Sequence, residues 1–146
     1  MASRETIITA LFNALAASAS FRTVTRRNRD PEGLAPAETP ALILVETFDK
    51  WGRGSGYNQL AQREIRLAAM IYNDVGPNDP NAIPSAPVNN AIDAFEALMQ
   101  PDNWQTETFT LGGLVQACLI DGETQRASGD TTGKALAVVP IRILIP

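Results

Sequence analysis

The sequence predicts an α+β sandwich, an α/β arrangement in which a mixed, mostly antiparallel sheet carries two helices packed on one face. Three observations point there. The closing run ALAVVPIRILI sets Ala135, Ala137, Val139, Ile141, Ile143 and Ile145 on one face, against a mixed set on the other, with Leu136, Val138, Pro140, Arg142 and Leu144. Residues 63–72 alternate in the same way, with Ile65, Leu67, Ala69 and Ile71 opposed to Glu64, Arg66, Ala68, Met70 and Tyr72. Residues 4–17 and 85–99 instead repeat apolar side chains at three and four residue intervals, the period of a helix. A sheet with one wholly apolar face and one mixed face fits helices on the first side and partial cover on the second.

Size and charge narrow the classes. With 146 residues and 45% hydrophobic content, one core and one domain spanning 1–146 are expected. Four loops are expected within it, near 30–40, 49–62, 73–84 and 124–133. A net charge of −4 gives the whole molecule no electrostatic reason to seek nucleic acid, so a basic site has to be local. The single cysteine, Cys118, lies in an apolar run and reads as a small buried hydrophobe. Neither a signal peptide nor a transmembrane run of eighteen apolar residues is read, so synthesis in the cytoplasm and no membrane partner are expected.

Taken in order, Ser3 is an N-cap and Glu5 suits the positive end of a helix over 4–17, whose apolar residues include Ile7, Ile8, Leu11, Phe12 and Leu15. A short strand over 21–25 follows, then a proline-rich loop to Pro40. ALILVETF, 41–48, reads as a central strand, and the glycine-bearing stretch after it as a loop or an extended hairpin arm leading to the strand at 63–72. Ser85 and Pro87 open the second helix, Val88, Ile92, Phe95 and Met99 form its stripe, and Pro101 stops it. Leu111–Gly122 and Ala135–Ile145 read as neighbouring antiparallel strands, with a bulge or tight entry at Gly112 and Gly113. Pro140 cannot donate to a ladder, which predicts an edge strand or a bulge there. The expected core contains Ile7, Leu11, Leu15, Ile43, Ile65, Leu67, Ile71, Ile92, Phe95, Val139, Ile141 and Ile143.

No catalytic constellation is legible. The chain has no histidine, no GxSxG elbow and no cysteine–histidine pair. Gly52, Gly54 and Gly56 stand two apart without the Lys and Ser/Thr of a phosphate loop, and Asp74 and Asp79 lack the spacing of a calcium loop. No cofactor or metal is therefore expected. Asp93 and Glu96 lie three apart on the polar flank of the second helix and read as a solvated face. An acid/base pair assembled only in three dimensions is the enzymatic reading left open.

Two groups of residues are candidates for contact. Arg22, Arg26, Arg27 and Arg29 concentrate positive charge in an acidic chain, and read either as a solvated strand end or as a surface for DNA or an acidic partner. Trp51, Arg53, Tyr57, Pro140 and Arg142 are candidate subunit-interface contacts, because they stand on the glycine-rich arm and on the strand expected at an edge.

The opening helix with Ile7, Ile8, Leu11 and Phe12, FRTVTRR at 21–27, PALILVE at 40–46, TLGGLVQACLIDGE at 110–123 and VVPIRILI at 138–145 resemble the small tail terminator, or tail completion, proteins of long-tailed bacteriophages and prophages. The resemblance spans nearly the whole chain. It implies a virion structural protein with no catalytic residues, forming a ring, typically a hexamer, on the head-proximal end of the tail tube. Such a ring halts tail polymerisation and provides the surface for head–tail joining. The implied partners are further copies of the chain, the tail tube protein, a head completion or connector protein, and DNA passing through the channel. The alternative is a monomeric head–tail adaptor or tail assembly protein that binds one structural partner; a DNA-binding module is a third reading. On the ring reading, replacing Arg26 and Arg27 by Glu is expected to reduce virion assembly while leaving thermal melting nearly unchanged.

Overall fold

The computed structural model describes residues 2–27, 30, 33–53, 61–76, 79, 81–127 and 133–145, with the backbone alone at 53, 61 and 62. The elements run α1 (Arg4–Ala16), β1 (Thr23–Thr25), β2 (Ala41–Arg53), β3 (Ala61–Asp74), α2 (Ser85–Leu98), β4 (Ala117–Ile120), β5 (Gln125–Ala127) and β6 (Lys134–Ile145). They form a six-stranded sheet in the order β1-β2-β3-β6-β4, with β5 pairing β6 beside β4. The pairing of β1 with β2 is parallel and every other pairing is antiparallel. The α+β class, the mixed sheet and the two helices against it are thus as expected.

The helices follow from local chemistry. Ser3 caps α1, its Oγ accepting the Thr6 N–H at 3.1 Å. Ile7, Ile8, Leu11 and Leu15 of α1 and Val88, Ala91, Ile92 and Phe95 of α2 are buried. They meet Leu42, Leu44, Ile65, Leu67, Ile71 and the odd-numbered residues of β6 in one cluster. All twelve residues expected in the core are buried. Ile43 differs from the others in its face: it alternates with Leu42 and Leu44, which point at the helices, so it is buried on the opposite side of the sheet.

Several expectations are corrected. β6 is an interior strand, paired with β3 from Lys134 to Ile145 on one side and with β5 and β4 on the other. Pro140 fits there without a bulge because it falls in the gap between β4 and β5. Its carbonyl accepts the Asp121 N–H at 3.2 Å, so its nitrogen faces the same gap and no ladder bond is lost. Gly122, at φ +127°, crosses this gap close to the proline ring.

Of the expected strand at 111–122 only Ala117–Ile120 pairs; residues 111–114 form a turn with positive φ at Leu111, Gly112 and Gly113. The expected loop at 124–133 contains β5, a strand whose three side chains are all exposed and which carries no apolar signal. In the expected loop at 49–62, residues 49–53 and 61–62 extend β2 and β3; in that at 73–84, residues 73–74 extend β3.

Ile141, wholly buried between strands and helices, generates the first prediction: Ile141→Ala costs roughly 2 to 5 kcal/mol in chemical denaturation through the cavity it leaves. A Cβ on Gly122 would stand 3.0 Å from Pro140 Cγ in a backbone conformation L-residues avoid. Gly122→Ala is therefore expected to lose about 1 kcal/mol or more in the same assay.

Candidate interaction surface

The β2–β3 hairpin extends past the strands that flank it. β1 pairs with β2 only from Ala41 to Ile43, and among the described residues no strand lies along the outer edge of β2 from Leu44 to Arg53. A bulge between Glu46 and Phe48 shifts the alternation, so that Phe48 stands opposite Arg66 on the helix-free face and Trp51 opposite Arg63 on the helix side. Phe48 is 58% exposed and Trp51 62% exposed. Arg63 beneath Trp51 is buried, its guanidinium carbon 5.6 Å from the ring centroid. Its Nε and Nη2 have no hydrogen-bond partner among the described residues.

On the helix-free face, four charged side chains from three parts of the chain meet. Arg142 donates to Glu64 Oε1 at 2.6 Å and reaches Asp121 Oδ2 at 3.3 Å. Arg66 reaches Glu64 Oε2 and the same Asp121 oxygen, both at 3.3 Å. Burial pushes the Glu64 carboxyl up, but the hydrogen bond and charge of Arg142 and those of Arg66 together outweigh it and hold the group below the usual carboxylate range. The network is balanced, two cations against two anions. Arg142, expected at a subunit interface, is engaged within the chain.

Of the described arginines at 22–27, one is taken up by an ion pair within the chain. Arg26 is half-buried and grips Glu5 with both terminal nitrogens, at 2.5 and 3.1 Å. That hydrogen bond, with a second from Thr9, holds the Glu5 carboxyl below its ordinary value. Arg22 and Arg27 are exposed and form no ion pair among the described residues. Arg29 and Tyr57 lie outside the described residues, and of Arg53 only the backbone is described. Pro140 is half-buried on the helix-free face beside Gly122.

The remaining polar clusters serve local structure. Asp102 accepts the N–H groups of Thr110 and Gly112 at 2.7 and 2.9 Å and the Thr110 hydroxyl at 2.8 Å, which fixes the turn that replaces the expected strand start. Burial raises its carboxyl, and these donors outweigh that and lower it. Asp74 and Asp79 each close their own turn, on Gly76 and Asn81. Asp93 and Glu96 are exposed on α2. No group of three acidic or sulfur ligands converges among the described residues, and no described helix is long and apolar enough to cross a membrane. Burial pushes the Cys118 thiol up to about 12, so it stays protonated at neutral pH.

The chain matches no family model and no curated protein.

Two predictions follow from the ion pairs. Glu5, Glu64 and Asp102 all have carboxyls lowered by folding, so their stabilisation is present above the unfolded values of about 4. It is lost as pH falls through the folded values. Urea titrations between pH 6 and 3 should show stability declining with acid, and Glu64→Gln should flatten that decline. Replacing Arg26 and Arg27 by Glu, expected from sequence to leave melting nearly unchanged, should instead lower Tm, since it places a second carboxylate against Glu5; differential scanning calorimetry measures this.

Proposed function

We propose that the chain is a non-enzymatic structural subunit of a closed homomeric ring, a hexamer, at the head-proximal end of a bacteriophage tail. The ring would stop growth of the tail tube and offer the surface to which a head completion or connector protein joins. The observation that carries this reading is the resemblance of five segments between Ile7 and Ile145 to tail terminator proteins. The open edge of β2 supports it, because a sheet edge is a surface on which repeated chain-to-chain contacts are built.

Closure follows from symmetry. Identical head-to-tail contacts end at a finite number only if the rotation closes; otherwise they make a filament. Assembly on the tube would raise the effective concentration of subunits, so a monomer in dilute solution is compatible with a ring on the tail. DNA passing through such a ring would meet the exposed Arg22 and Arg27 rather than Arg26, which is occupied by Glu5.

Electron microscopy of lysates lacking this protein tests the reading. Tails of uncontrolled length beside filled, unattached heads are expected. Normal-length tails correctly joined to heads would remove the terminator role and favour the adaptor instead.

A further inference from the structure

Arg63 is a buried cation with two guanidinium nitrogens unbonded among the described residues, whereas Arg142, whose Nε alone is unbonded, is held by Glu64 and Asp121. It stands on the helix-side face of β3, two residues beyond Ile65, with Trp51 opposite on β2 and Ile145 opposite on β6. It is 9% exposed, yet Nε and Nη2 are both buried without a hydrogen bond. A guanidinium cannot shed its charge, so its burial has to be offset by an anion or by donors satisfied elsewhere. The Trp51 ring supplies a cation–π contact worth only about 0.5 to 2 kcal/mol, less than the desolvation of an ion. Nearby carboxylates are already used: Asp49 accepts from Arg4, and Glu64 points to the opposite face, where Arg142 and Arg66 hold it.

We propose that the root of the hairpin arm is a docking site for an extended, carboxylate-bearing segment of another protein chain, with Arg63 as its anion receptor. The outer edge of β2 offers unpaired backbone groups that an added strand completes. Phe48 and Trp51 give apolar surface on either face of that strand. A strand added to β2 would lie two strand spacings from β3, about 9 to 10 Å. An extended glutamate and the arginine side chain together span that distance once the largely exposed Trp51 ring turns aside. A nucleic acid fits less well, because only a polypeptide completes the ladder. The site does not depend on the ring reading, and the segment belongs to a different protein, because the acids on this chain's own open edge are engaged, Asp49 by Arg4 and Glu46 by the charge of Arg26.

The test uses the full chain carrying Trp104→Phe, which leaves Trp51 as the only tryptophan. The probes are a blocked peptide of alternating valine and glutamate, its valine and glutamine counterpart, and a short DNA duplex, each titrated at low salt while Trp51 emission is followed. The glutamate peptide is expected to bind saturably and about tenfold more tightly than the glutamine peptide, a preference that Arg63→Lys weakens and Arg63→Met abolishes. Because Nε and Nη2 have no hydrogen bond among the described residues, Arg63→Met is also expected to melt no lower than its parent. Equal affinity for the two peptides, binding of neither, a preference that survives Arg63→Met, Arg63-dependent binding of the duplex instead, or a large loss of stability in Arg63→Met would each overturn the proposal.

Discussion

The pairing of β3 with β6 is the constraint on which the other elements depend. Twelve residue pairs run from Arg63 opposite Ile145 to Asp74 opposite Lys134 without a break in register. Ile65 with Ile143, Leu67 with Ile141, Ala69 with Val139 and Ile71 with Ala137 make a double row on one face, and α2 lies across both strands there. The intervening pairs, Glu64 with Leu144, Arg66 with Arg142 and Met70 with Val138, make the other face. A slip of one residue would turn the charged row into the helices and the isoleucines outward, so burial on one side enforces the register on both.

That pairing also decides what stays open. With β6 inside the sheet, the free edges belong to β1, to the short β4 and β5, and above all to the outer side of β2 beyond Ile43. The open edge of β2 therefore faces away from β6, and Arg63 sits at the root of the arm, in the last pair with β6. The face away from α1 and α2 carries a neutral ion network and, around Leu34, Ala41 and Tyr72, a small buried apolar cluster. The charge of Arg142 and Arg66 is absorbed by Glu64 and Asp121, whereas Arg63 has no ion pair among the described residues.

Much of the fold was legible because alternation and helical period report burial directly. Ser3, the stripes of α1 and α2, and the faces of β3 and β6 all follow from residue spacing alone. Partner identity is another matter. The period of Ala135–Ile145 is the same at an edge or in the interior, so Pro140 suggested an edge until the gap between β4 and β5 supplied its reason. β5 exposes every side chain and is held by backbone bonds, which leave no mark on composition. The apolar letters of Leu111–Leu114 were misleading because Asp102, several residues upstream, binds their backbone into a turn. For contact residues the limit is sharper. Glu64 and Arg142 lie 78 positions apart, and Arg26 is claimed by Glu5 from a different element. Arg63 looked like the polar start of a strand; only its pairing with Trp51 and Ile145 shows a buried cation. The arm itself was anticipated as one reading of 49–62, since its strands lengthen a pattern already present on both sides.

Hydrogen–deuterium exchange of the isolated chain, resolved to single amides, tests the architecture behind the interaction surface most directly. Amides of Leu67–Ile71 and Val139–Ile143 should exchange slowest, only on global unfolding, while those on the outer edge of β2 between Leu44 and Arg53 should exchange fastest within the sheet. Slow exchange along that outer edge, matching β3, would mean that another segment of the chain already covers it and would contradict an arm open to a partner.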